Sequence, residues 1–171
     1  MDKNYFQTLA RYNRWANKKL YDVVETVSIE EFEKDSKAYF ASMRGTLNHI
    51  LFGDWAWTLR LKGKSSAHLE MGKIYHPSFA ALKKARLEAD EDFLILLDDM
   101  NNDEISADLT YRNIKGIEYV MPTHHVLAHV FNHGTHHRGQ VHCLLTQAGI
   151  EAPSLDLIYY YIECEDAGIK P

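Results

Sequence analysis

Histidine is the side chain that both ligates divalent metals and exchanges protons near neutral pH, and this sequence concentrates it. Of ten histidines, His124, His125, His129, His133, His136, His137 and His142 all lie within residues 124–142. The stretch "VFNHGTHHRGQVH" is internal and interleaved with Val, Leu and Phe, so it is not an appended purification tag. The apolar positions recur at helical spacing, which predicts a helix from Pro122–Thr123 to Ala148 with Gly149 as its stop. On a wheel of about 100° per residue, Val126, Val130, Val141 and Leu144 make one apolar stripe. His133 and His137 fall within or on the edge of it. His129 and His136 fall just outside, and His124 and His142 point away to the surface. Gly134 lies inside the stripe, where a missing side chain admits another backbone or a ligand.

His133 and His137 stand one turn apart, so both imidazoles can reach one ion, as they do in HExxH helices. The competing reading is a pair of core histidines satisfied by backbone or water, and HxxxH spacing alone does not separate the two. HExxH itself is absent, because Gly134 follows His133. Di-iron bundles use ExxH pairs, and no histidine here has a glutamate three residues before it. What remains is a mononuclear, histidine-dominated site whose third ligand comes from elsewhere: His49, His68 or His76. His68 and His76 belong to a loop signal, whereas His49 sits in an apolar run with Leu47, Ile50 and Leu51. Asp54, a turn beyond His49, reads either as support for a ligand or as a cap on a nearby tryptophan. His129, His136 and Gln140 read as proton carriers or as polar rim, and Cys143 as a small core residue.

These side chains need elements to hold them. Residues 4–27 carry apolar residues at three- and four-residue steps and predict a first helix of about six turns. A polar stretch leads to a second helix near 42–62, "TLNHILFGDWAWTLRL", apolar nearly all round. "KGKSSAHLEMGK" is a loop signal, and a third helix starts at "HPSF", with Pro77 near its first turn, and runs to Met100. Residues 107–121 alternate on both sides of "NIKG" and predict a β-hairpin between the third and fourth long helices. "APSLDLIYYYIECEDAG" predicts a short closing helix, its tyrosines packing it onto the bundle. The expected architecture is all-α: one domain over residues 1–171, a four-helix bundle with a small hairpin.

The chain of 171 residues is long enough to bury a core without disulfide or metal staples. A formal net charge of −5 leaves no basic field for phosphate backbones, so nucleic acid is excluded as a partner. No apolar run reaches the length of a membrane span, and "MDKNYFQTLARYNRW" lacks a signal-peptide core. Cys143 and Cys164 form no CxxC pair, which suits a reducing compartment, and a cytoplasmic protein is expected. The all-round apolar second helix and the aromatics of the first suggest more apolar surface than one bundle covers, hence a homodimer.

"LNHILFGDWAW", followed about eighty residues later by "HVFNHGTHHRGQVHCLL", resembles the DinB/YfiT-like, damage-inducible family of small metal-binding bundles. "RYNRWAN" and the terminal "PSLDLIYY" extend the resemblance over nearly the whole chain, with the NHxxHHRGQ block as its specific part. The resemblance implies an up-down-down-up four-helix bundle with one divalent metal, Zn²⁺ or Ni²⁺, whose ligands map onto His49, His133 and His137. His136 and Arg138 belong to the motif but are not ligands. Similar proteins include thiol S-transferases and isomerases that use low-molecular-weight thiols. The expectation is therefore a metal-dependent enzyme acting on a small molecule, with thiol transfer ahead of hydrolysis. A non-catalytic metal-binding stress protein is the alternative.

Overall fold

The computed structural model describes residues 2–171. Four long helices dominate: α1 (Lys3–Val24), α3 (Met43–Leu61), α4 (Phe79–Asp99) and α6 (Thr123–Gln147). Between them lie two one-turn helices, α2 (Ile29–Glu33) and α5 (Asn102–Ser106), and strands β1 (Asp108–Arg112) and β2 (Glu118–Pro122). Helix α7 (Leu157–Asp166) closes the chain.

Local chemistry sets the boundaries. Asp2, Ser42 and Ser78 each accept a backbone N–H from the first turn of α1, α3 and α4, satisfying donors that no helical carbonyl can reach. Pro77 therefore sits one residue outside the cap of α4 instead of within its first turn. The two one-turn helices escape a search for periodicity, being too short to show one. Asn101 and Glu104 nonetheless form a capping box at α5. In the hairpin, Tyr111 pairs with Tyr119. The Asn113 side chain accepts the N–H groups of Lys115 and Ile117 at 2.9 and 3.1 Å, and Gly116 takes a φ of 79°, which a glycine adopts without strain.

Helix α6 packs on α3 and α1, and α4 packs on the same two helices from the other side. Two large apolar clusters make up most of the core, with smaller ones where α7 meets α1 and beneath the loop after α3. One gathers Leu20, Val24, Met43, Leu47, Leu51, Leu82, Ala85, Val141 and Leu145; the other gathers Phe6, Ala10, Phe93, Leu97, Leu127, Val130 and Phe131. The first uses the C-terminal parts of α1 and α6 and the N-terminal parts of α3 and α4; the second uses the opposite ends. The helices thus run up, down, down, up in chain order. The apolar circumference of α3 is covered within its own chain, by α6, α4, α2 and β1, and the α1 aromatics Tyr12 and Trp15 pack on Tyr160 of α7.

Between the clusters runs a buried polar layer. Arg86 pairs with Asp54 at 2.5 Å and with Asp90 at 3.0 Å. Asn17 donates to Asp90 at 2.9 Å, and Arg138 donates to Asn13, to Asn17 and to Thr135. Burial opposes the charge on Arg86, but the Asp90 and Asp54 carboxylates outweigh it and raise its pKa. Gly134 makes room for this layer and not for a ligand: a Cβ there would meet Arg138 Nη1 at 3.0 Å and Asn13 Oδ1 at 3.1 Å.

Candidate metal centre

His49 on α3 and His133 and His137 on α6 meet where these two helices cross. Each offers a ring nitrogen within 4.8 Å of the other two, and among the described residues no carboxylate or thiol joins the group. Nε2 of His49 and Nε2 of His133 are 3.1 Å apart. Three tetrahedral ligands at a Zn–N length of about 2.0–2.1 Å would stand roughly 3.3 Å apart, so this pair is spaced as the ligands of one small ion are.

Each ring is held by a different device. His137 donates through Nδ1 to Gln140 Oε1 at 2.7 Å, which leaves Nε2 as the free lone pair, the way outlying partners orient metal-ligating histidines. The Gln140 amide nitrogen in turn faces His136 Nε2 at 3.3 Å. His49 makes no hydrogen bond through its buried Nδ1. It is clamped instead by the Phe40 ring, stacked at 3.8 Å and 18°. His133 lies against Gly53, where a Cβ would come within 2.7 Å of its Cε1. Phe40 reaches the site because Ala41 adopts a left-handed φ of 63°, and the turn closes with Ser42 N–H donating to Phe40 O at 2.7 Å.

The electrostatics suit ligand chemistry. Burial, and then repulsion from His137, lowers the His49 pKa to about 4. Burial and neighbouring imidazoles take His133 to about 3. His137 is also lowered, by burial first, with the Gln140 hydrogen bond opposing. All three shifts favour the neutral imidazole, the form that ligates an ion. The donor set therefore fits a divalent transition metal.

The other histidines stay out. His68, His125, His129 and His136 are exposed, and His76 is half-buried. The His76 backbone N–H donates to Asn48 Oδ1 at 2.9 Å, and its carbonyl accepts from Asn48 Nδ2 at 3.1 Å. His129 and His136 flank the site, their rings 5.8 Å from His133 and 4.8 Å from His137. His124 and His142 are half-buried and apart from the three. Two expectations are corrected. Asp54 neither supports a ligand nor caps a tryptophan, because its carboxylate is bound by Arg86. Cys143 is exposed, and Cys164 is the buried cysteine. Phe40 and Gly53 are not legible as site residues, since Phe40 reaches His49 from the turn before α3 and Gly53 meets His133 only across the helix crossing.

Comparison with known proteins places the chain in a family. The chain is 25% identical over 158 residues to Protein DinB of Bacillus subtilis (strain 168), covering 89% of this chain and 91% of that protein. A crystal structure of a DinB-like protein from Bacillus cereus ATCC 10987 shares the fold, with a TM-score of 0.62 and 20% sequence identity. That match covers 84% of this chain and 91% of the other. The DinB family profile matches residues 1–166, and the chain belongs to the DinB family.

Proposed function

We propose that the protein is a metal-dependent enzyme acting on a small molecule. One divalent transition metal, Zn²⁺ or Ni²⁺, is held by His49, His133 and His137, and a low-molecular-weight thiol serves as nucleophile. The observation that carries this reading is the convergence of three imidazoles with no fourth protein ligand beside them among the described residues, the composition of an open site and not of a closed structural one. An ion bound there would keep its full positive charge and would deprotonate a coordinated thiol outright.

The chain's own residues do the rest. Gln140 keeps His137 in one tautomer, and Phe40 covers His49 with an apolar wall. Exposed His129 and His136, beside the ligands, are placed to take up the thiol proton. Hydrolysis would call for a carboxylate base near the ligands, and none joins the group among the described residues. A reducing compartment such as the cytoplasm suits the exposed free thiol of Cys143.

The test is cobalt substitution. A productive thiol should give a sulfur-to-cobalt charge-transfer band and accelerated conjugation to an electrophile, and His49→Ala should remove both. If azide perturbs the cobalt spectrum and no thiol does, thiol transfer is wrong and water chemistry or simple metal binding takes its place.

A further inference from the structure

Arg60, near the C-terminal end of α3, is a buried cation that lacks a counterion. It is 8% exposed. Its Nε donates to Ser66 Oγ at 3.0 Å, and its guanidinium carbon lies 4.5 Å from the Trp57 ring centroid and 5.6 Å from that of Tyr111. The other buried arginines are provided for: Arg86 by two carboxylates, Arg138 by Asn13, Asn17 and Thr135. Among the described residues no carboxylate pairs with Arg60, and its two terminal nitrogens make no hydrogen bond. Burial lowers its pKa, with only Tyr111 opposing.

Those nitrogens belong to a residue that lines a cavity of about 250 Å³, together with Lys64, Thr110, Tyr111, Arg112 and Glu118. Glu118 is taken by Arg112 at 2.7 Å, and Arg112 also donates to the Gly116 carbonyl at 3.1 Å. Arg60 and Lys64 are left as a surplus of positive charge facing an open space. A purely structural role for Arg60, as a cation near the C-terminal carbonyls of α3 resting on aromatic rings, accounts for its charge. It does not account for a cavity that Arg60 and Lys64 line together. We infer that this cavity is an oxyanion subsite, in which Arg60 and Lys64 bind the carboxylate or phosphate of a small organic anion. A guanidinium presents a planar fork that matches two oxygens at once, and the cavity is smaller than the ~300–1,000 Å³ of a whole ligand pocket, as befits one end of a molecule.

The subsite also has a direction. His49, Gly53, Trp57 and Arg60 follow one another at steps of four, four and three, and so share a face of α3. From His133 the ring contacts pass to His129 at 5.8 Å and from His129 to Trp57 at 5.2 Å. Arg60 lies about 16 Å from His49 along the helix axis, at about 1.5 Å per residue. If the proposed enzyme reading holds, and this extension rests on it, the substrate or thiol carries an oxyanion at the end remote from its reacting atom.

Calorimetric titration of the full, metal-loaded chain with inorganic phosphate and with glutarate, at ionic strength fixed with chloride, tests the subsite directly. Saturable binding is expected. Arg60→Lys should weaken it about tenfold, because a point charge replaces the fork. Arg60→Gln should abolish it, and Lys64→Gln should reduce it severalfold. Preference for glutarate identifies a carboxylate end group, preference for phosphate a phosphate ester. His49→Ala should keep the affinity within about twofold, since distant sites act independently; the subsite can therefore stand even if the metal reading fails. Absence of saturable binding in the unaltered protein, or equal binding by folded Arg60→Gln, overturns the proposal. Should Arg60→Gln not fold, undiminished binding by both Arg60→Lys and Lys64→Gln overturns it as well.

Discussion

Gly53 can carry no side chain while His133 keeps its place, because a Cβ would stand 2.7 Å from the imidazole. Gly53→Ala is therefore expected to leave a folded bundle while turning His133 away and weakening metal binding at least about tenfold, the scale seen when ligand orientation is lost. Competition with a chromophoric chelator measures it, and unchanged affinity would detach Gly53 from the site. Alanine at His49, His133 or His137 should abolish retention of an ion by elemental analysis, while alanine at His124 or His142 should not. The lowered pKa values set a pH dependence with a definite sign. In the unfolded chain these imidazoles take up protons near pH ~6.5, whereas folded His49 and His133 wait until about 4 and about 3. Below pH ~6.5 the unfolded state binds more protons, so metal-free stability falls as pH drops through that window. Urea midpoints of the apo protein from pH 7 to 4 should decline accordingly, and a flat profile would mean that the three rings are not held neutral.

The crossing of α3 and α6 works as a site because the segment before α3 folds back over it. Gly45, in the first turn of α3, allows the Phe40 carbonyl to lie directly against the helix, where a Cβ would overlap that oxygen. Gly45→Ala has to push this turn away, and with it the Phe40 ring that clamps His49. Overpacking of this kind costs about 1–3 kcal/mol; urea unfolding should register it, together with a looser metal site. The loop before α4 is fastened by another device, the paired hydrogen bonds between Asn48 and the His76 backbone. Asn48 thus ties down a loop from the position next to a candidate ligand, which explains its place beside His49 without giving it a part in the chemistry.

Across the whole bundle, the Asp54–Arg86–Asp90 and Arg138–Asn13–Asn17 contacts divide the core into two halves. Such a layer adds little net stability, yet losing one partner strands a buried charge, at about 3–5 kcal/mol. Asp54→Ala should therefore destabilise strongly in urea while leaving the metal stoichiometry of the remaining folded protein intact; loss of metal with preserved stability would reassign Asp54 to the site. The two apolar clusters can hold the fold without an ion, so chelation should lower the melting temperature and keep the helical circular dichroism. As for assembly, α3 is covered within its own chain, but Tyr119, Val120 and Met121 on β2 and Ile158, Tyr159 and Ile162 on α7 are exposed. The surfaces on which the sequence predicts a homodimer, on α3 and α1, are taken up within the chain. A homodimer now requires the β2 and α7 faces, and a monomer mass by sedimentation at high protein concentration would remove it. No described helix is long and apolar enough to cross a membrane.

Periodicity alone determined the four long helices, the hairpin and the stripe that carries His133 and His137. A 3.6-residue repeat over five or six turns, or alternation about a turn, is a property of the chain that packing has only to accept. Family resemblance, not spacing, selected His49 over His68 and His76. Only the tertiary structure decided what surrounds these residues. The Phe40 clamp, the space left by Gly53, the assignment of Asp54 to Arg86 and the exposure of Cys143 depend on which helix faces which, at sub-ångström tolerances. Arg60 belongs to the same class: in the sequence it is one basic residue near a helix end, and its lack of a counterion exists only once β1 and the loop after α3 enclose it. Local pattern is written in neighbouring residues; contact between distant ones depends on how the apolar faces close, and no single segment contains that.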